Sequence, residues 1–170
     1  MNYSTIKYFD IANGEGVRTT LFVSGCRRGC PGCFNTEAWD FSAGKPFTRE
    51  IEDEILESLS ASYVDGLTLL GGEPMEPENQ PVLLELVQAV RKAYGAEKDI
   101  WCYTGCVLET DLLADSPYRC DATDALLREI DVLVDGPFVE GQKSLQLAFR
   151  GSANQRILRK KNGVFTEANQ

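Results

Sequence analysis

The chain has 170 residues, with 26 acidic against 17 basic side chains, six cysteines and no histidine. Without histidine there can be no Ser-His-Asp triad, Cys-His dyad, imidazole-ligated zinc or haem, or histidine proton shuttle, so catalysis must rest on carboxylates, cysteines, backbone or a cofactor. The length fits one domain over residues 1–170 that needs no disulfide staples, and a net charge of −9 argues against nucleic acid as a partner.

The opening stretch MNYSTIKYFDIANGEG has no apolar core of signal-peptide length, and no later run approaches the ~20 apolar residues that span a bilayer. The expectation is a cytoplasmic protein with no membrane partner. In that reducing setting six cysteines serve as metal ligands, core residues or reactive thiols rather than disulfides. Asn13-Gly14-Glu15-Gly16 reads as a tight turn before a first β-branched run at residues 19–23, short enough for a buried strand.

Directly after that run, CRRGCPGCFN places Cys26, Cys30 and Cys33 in a C-x3-C-x2-C spacing. Three thiolates within eight residues can wrap one metal centre. Structural zinc prefers four ligands, as two separated C-x2-C pairs or with histidines, and no second pair exists; an iron–sulfur cluster fits better. Three ligands leave one iron of a four-iron cluster open, a position where a small molecule binds. Cys102, Cys106 and Cys120 are the alternatives for a fourth ligand, with Cys102 reading as core between Trp101 and Tyr103.

Beyond the loop, Thr48 is a candidate N-cap for a helix whose apolar face is Ile51, Ile55, Leu56 and Leu59, with Glu50, Glu52 and Asp53 in its first turn. A strand at residues 67–70 ends in Gly71-Gly72-Glu73-Pro74; the glycines let backbone approach a ligand, and Glu73 can accept from an ammonium group. A second helix opens near Pro81 and closes at Gly95. Further strands are expected at residues 100–103, 131–134 and, more weakly, 145–149, with helical stretches at 109–114 and 123–129. This alternation predicts an α/β fold with parallel strands, either a partial (open) barrel or a small doubly wound sheet, with ligands at the carboxyl ends of the strands. The glycine-containing turns at Ser24-Gly25, Gly71-Gly72, Thr104-Gly105 and Asp135-Gly136-Pro137 converge on that rim, where Asp135 and Arg150 also place polar groups. Residues 143–161 carry Lys143, Arg150, Arg156, Arg159, Lys160 and Lys161 and no acidic residue, which reads as a solvated basic face or as a docking surface for an acidic partner or a substrate with phosphates.

The C-x3-C-x2-C loop resembles that of the radical S-adenosylmethionine (SAM) enzymes. The closer resemblance, through DIANGEGVR, LFVSGC, CPGCFN, GKPFT, LLGGEP, DIWCYTG, DVLVDGPF and FRGSANQR in order, is to the branch that activates anaerobic ribonucleoside-triphosphate reductase. The resemblance implies a parallel-stranded partial α/β barrel and a [4Fe–4S] cluster on Cys26, Cys30 and Cys33. It also implies SAM bound through Gly71, Gly72 and Glu73 at its amino group, and through Phe34 and the backbone of Gly32 and Cys33 at its adenine. Many loops of the superfamily carry an aromatic residue where this chain has Gly32, and Pro31-Gly32 is usual in the activase branch. The implied chemistry is reductive cleavage of SAM, with the electron from a flavodoxin-type donor, to a 5′-deoxyadenosyl radical that forms a glycyl radical on the reductase; no side chain acts as general acid or base.

Overall fold

The four apolar runs read as buried strands lie side by side and parallel in a computed structural model that describes residues 1–168. They are β2 (Arg18–Val23), β4 (Gly66–Gly71), β5 (Asp99–Tyr103) and β6 (Val132–Asp135), flanked by β1 (Asn2–Asp10), β3 (Lys45–Pro46), β7 (Arg156–Lys161) and β8 (Val164–Glu167). The spatial order is β3-β1-β2-β4-β5-β6-β7-β8, with β1 antiparallel to β2 and β7 antiparallel to β6. All six residues of β2 are buried, as expected of a strand covered on both faces.

Helices α1 (Arg49–Leu59), α2 (Gln80–Tyr94) and α3 (Thr123–Glu129) connect the parallel strands. Their apolar stripes, including Ile55, Leu59, Leu83, Val87, Val90 and Leu126, pack with Leu21, Val23, Leu67, Leu69, Ile100 and Leu133 of the sheet into one core. Pro81 stands in the first turn of α2, and Gly95 ends the helix at φ 58°, its N–H bonded to the Arg91 carbonyl. Thr48 takes the N-cap position of α1 without a side-chain cap bond. The stretch expected as helical near 109–114 is a π-helical turn over Leu108–Leu113.

The opposite face of the sheet is partly polar. Arg18 is fully buried there, bonded to Thr68 Oγ1 (2.6 Å), to the Glu15 and Leu67 carbonyls (3.0 Å each) and to Asp99 (2.6 Å), with its guanidinium 5.4 Å above the Trp101 ring. Thr68 Oγ1 in turn donates to the Asn13 carbonyl, so the Asn13-Gly14-Glu15-Gly16 segment folds onto this face rather than standing away as a simple turn. Trp101, Val132 and Val134 form a second, smaller apolar cluster with Tyr103, Phe149 and Ile157.

Two expectations change. Residues 145–149 form no strand: Leu145 is 97% exposed and Phe149 has a φ of 54°, which no extended strand accommodates. The last strands are instead β7 and β8, and β7 ties up Arg156, Arg159 and Lys160, three of the six basic residues of segment 143–161. Arg156 pairs with Asp135 and Glu109, Arg159 pairs with Glu15 and lies over Trp101, and Lys160 donates to the Arg128 carbonyl while covering Phe165. Their aliphatic stems pack on the sheet while the charged ends find partners within the chain.

Candidate functional site

The cysteine loop leaves the carboxyl end of β2 and is closed at its base by backbone. Gly25 N–H bonds the Ala38 carbonyl (2.8 Å) and Cys26 N–H the Trp39 carbonyl (3.1 Å). The Gly71-Gly72-Glu73 turn is laced to the same base, Gly72 N–H to the Val23 carbonyl and Glu73 N–H to the Gly25 carbonyl, both at 2.8 Å. Glycine is required here because a Cβ on Gly72 would stand 2.6 Å from the Gly25 carbonyl oxygen and 2.8 Å from that of Ala38, both backbone atoms that cannot swing aside. Asn79 ties the two segments again, its carboxamide donating to the Ser24 and Glu73 carbonyls at 3.0 Å each.

These turns surround a cavity of about 340 Å³. Cys26, Cys30, Cys33, Phe34, Gly71, Gly72 and Glu73 all line it. Gly32 stands in the loop between them at φ 72°, facing the Glu140 side chain rather than the cavity. Cys102 and Cys106 are buried in the core, and Cys120 bonds the Gln80 side chain; none of the three lines the cavity, and all six cysteines are free thiols.

Among the described residues no three cysteine, aspartate or glutamate side chains converge closely enough to share a single metal ion. A tetrahedral zinc with bonds of about 2.3 Å draws its sulfurs to within roughly 4 Å of each other. Thiolates that each bind a separate iron stand further apart, and Cys26, Cys30 and Cys33 all line the one cavity. Burial pushes the Cys26 thiol up to about 11, reinforced by the negative charges of Glu73, Glu76 and Cys30 and opposed by a backbone bond at Arg28. A thiolate at that position calls for a cation beside it.

Glu73 is 1% exposed. Its Oε1 accepts from Met75 N–H (2.9 Å) and Thr104 Oγ1 (2.6 Å), and its Oε2 from Gly105 N–H (2.8 Å). A carboxylate has about four lone-pair sites, so one on Oε2 is left for a ligand. Burial raises the Glu73 pKa, against the lowering effect of those three bonds and of the Arg28 charge. Arg28 lines the same cavity, lying across Gly105 with Nη1 3.5 Å from Cys106 Sγ and 3.8 Å from Asp111, and its guanidinium over the Tyr118 ring.

Sequence reasoning missed Arg28, Tyr103, Asn79 and Glu76; Arg28 carried a signal, a basic side chain inside the cysteine loop. Of the two rim groups expected from sequence, Arg150 lines the cavity, whereas Asp135 turns to Arg156 and to Leu108 N–H. Another part of the wall is residues 137–155, which bring Phe138, Leu147 and Phe149 to the cavity. Asn154 and Gln155 hold this segment in place through bonds to the Pro137 and Gly136 carbonyls and from the Gly151 and Ser152 N–H groups.

Residues 12–158 match the family model described as a 4Fe-4S single cluster domain. The chain is 45% identical over 161 residues to a Pasteurella multocida protein, covering 94% of this chain and 98% of the relative. It is 46% identical over 162 residues to one from Vibrio cholerae, with the same coverage, and 38% identical over 165 residues to one from Enterobacteria phage T4, covering 97% and 98%. All three relatives are named anaerobic ribonucleoside-triphosphate reductase-activating protein. With thiols, glycine turn and buried glutamate gathered at one cavity within the matched region, the chain belongs to this 4Fe-4S family of reductase-activating proteins.

Proposed function

We propose that the chain is a radical SAM activase that installs a glycyl radical on an anaerobic ribonucleoside-triphosphate reductase. Cys26, Cys30 and Cys33 would hold a [4Fe–4S] cluster in the cavity they line, with SAM beside it against Gly71, Gly72 and Glu73. The observation that carries this reading is that one apolar-walled cavity brings together three thiols, the buried carboxylate of Glu73 and the guanidinium of Arg28. A carboxylate and a guanidinium on one cavity wall complement a zwitterionic amino-acid end, which SAM has.

When bound, a cluster held by Cys26, Cys30 and Cys33 would supply the electron for reductive cleavage of SAM, and with it the hydrogen-atom abstraction from a glycine Cα. The chain's own residues position and shield. Glu73 accepts from the ammonium, Gly71 and Gly72 let backbone approach it, and Arg28 faces the carboxylate. Phe34, with the backbone of Cys33, contacts the adenine, and Gly32 turns away towards Glu140; Phe138, Leu147 and Phe149 keep water out. No side chain moves a proton.

The parallel strands β2, β4, β5 and β6, with helices on one face and unpaired sheet edges at β3 and β8, support an open partial barrel of the radical SAM type forming a single domain. A flavodoxin-type protein is the proposed electron donor. No helix among the described residues is long and apolar enough to cross a membrane, in keeping with the proposed cytoplasmic location. The test is anaerobic iron and sulfide analysis with electron paramagnetic resonance of the reduced protein, with and without SAM, followed by assay of 5′-deoxyadenosine and of the reductase glycyl radical. The expected result is a four-iron signal that SAM alters. Zinc in the site, or a spectrum indifferent to SAM, overturns the reading.

A further inference from the structure

The wall formed by residues 137–155 has an outward part that the cofactor site does not use. Phe138, Leu147 and Phe149 face the cavity, while Leu145 stands 97% exposed two residues before Leu147. Phe34, another lining residue, is 83% exposed at the mouth. The apolar lining therefore continues out of the cavity onto the surface.

This outward turn is anchored. Lys143 and Ser152 form an isolated β-bridge, Ala153 N–H bonds the Gln142 carbonyl (2.9 Å), and Val139 N–H bonds Ser152 Oγ (3.1 Å). On the other side the segment meets the cysteine loop, where a Cβ on Gly32 would lie 2.6 Å from Glu140 Cδ. Phe149 holds a φ of 54°, a conformation that costs a non-glycine residue energy and that persists only when surrounding contacts enforce it.

Charge narrows the occupant. In a chain of net charge −9, residues 137–155 hold Lys143 and Arg150 against a single acidic side chain, Glu140, which turns to Gly32 of the cysteine loop, and Lys143 is exposed. Size narrows it further: a cavity of about 340 Å³ that the cluster and SAM share leaves no room for a polypeptide inside it, so a second reactant must approach across the mouth.

We infer that the turn carrying Lys143 and Leu145, together with Phe34, docks an extended polypeptide segment of the protein substrate, one bearing an apolar side chain beside a carboxylate. The inference rests on the reading that a protein is the second reactant. Leu145 gives the peptide an apolar contact next to the cavity, and Lys143 meets its acidic group. Together they hold the peptide backbone over the opening.

The test uses the cluster-loaded protein and the reductase. Leu145 is almost wholly exposed, so Leu145→Asp is expected to keep the parent's thermal midpoint and its SAM-induced change in the reduced-cluster spectrum. The reductase concentration giving half-maximal glycyl-radical formation is expected to rise about tenfold or more. Leu145→Met should restore it, and Lys143→Glu should raise it at low salt and much less at high salt. Leu145→Asp with the parent's half-saturation overturns the docking surface, and a salt-independent or absent effect of Lys143→Glu removes the carboxylate from the partner's description. A parent protein whose spectrum ignores SAM instead overturns the preceding reading, and that is measured before any variant is made.

Discussion

Arg27 donates both its backbone N–H and its guanidinium to the carboxylate of Glu76, each at 2.7 Å. Glu76 is 1% exposed and its own N–H bonds the Glu73 carbonyl, so the residue after the first cysteine is seated on the turn that opens α2. Glu76→Ala removes the acceptor and is expected to cost the cluster-free chain about 1–3 kcal/mol in urea unfolding. It should also lower the iron retained per chain. Glu76→Gln keeps an acceptor for the Arg27 N–H and should fall between. An alanine variant as stable and as iron-loaded as the parent would show that this contact does not seat the loop.

The backbone lacing of Gly72 makes a sharper case. Gly72→Ala drives a methyl group against two carbonyl oxygens on different segments, whereas Gly141→Ala meets nothing within 4 Å. The first is expected to destabilise by about 2 kcal/mol or more, as other forced overpackings do, and the second to stay within about 0.5 kcal/mol. Chemical denaturation of the two cluster-free variants reads the difference directly, and equal midpoints would mean that the turn can shift away from the cysteine loop.

Glu73 links pH to two properties in opposite senses. Burial holds its folded pKa above the ordinary 4.5, so the folded chain binds that proton more tightly than the unfolded one. Its contribution to stability is fully present below 4.5 and is lost as pH rises through the raised folded value. An ammonium partner needs the carboxylate, so affinity for SAM should rise with pH over the same window. Urea midpoints of the cluster-free chain and calorimetric SAM titrations of the loaded protein, both taken against pH, are expected to slope in opposite directions. A flat SAM affinity across that window removes Glu73 as the ammonium's partner.

Where the sequence could be read and where it could not follows from how each segment is stabilised. β2, β4, β5 and β6 are buried apolar runs and α1 and α2 carry clear 3.6-residue stripes, so pattern alone placed them. The proposed cluster ligands stood out because three cysteines in eight residues have few other uses. β1 and β7 were not, because Asn2–Asp10 is half exposed and Arg156–Lys161 is basic; their place in the sheet depends on neighbours distant in sequence. Arg28 and Glu76 escaped notice for the same reason, since what marks each is a contact with a residue about 50 to 80 positions away.

Arg156 shows what that misreading changes. Its Nε lies 2.9 Å from Asp135 Oδ1 and its Nη2 2.5 Å from Oδ2, while Asp135 is 1% exposed at the end of β6. Reversing the charge at Arg156 leaves a buried carboxylate facing another, a change that costs on the order of 3–5 kcal/mol when one member of a buried pair is lost. Arg159 pairs with Glu15 where both side chains are partly exposed, and its reversal should cost about 1 kcal/mol. Arg156→Glu is therefore expected to fail as a docking mutant by unfolding the chain, with a urea midpoint far below that of Arg159→Glu. If both variants unfold with the parent, the Arg156–Asp135 pair does not hold β7 to β6, and the basic face is again available to a partner.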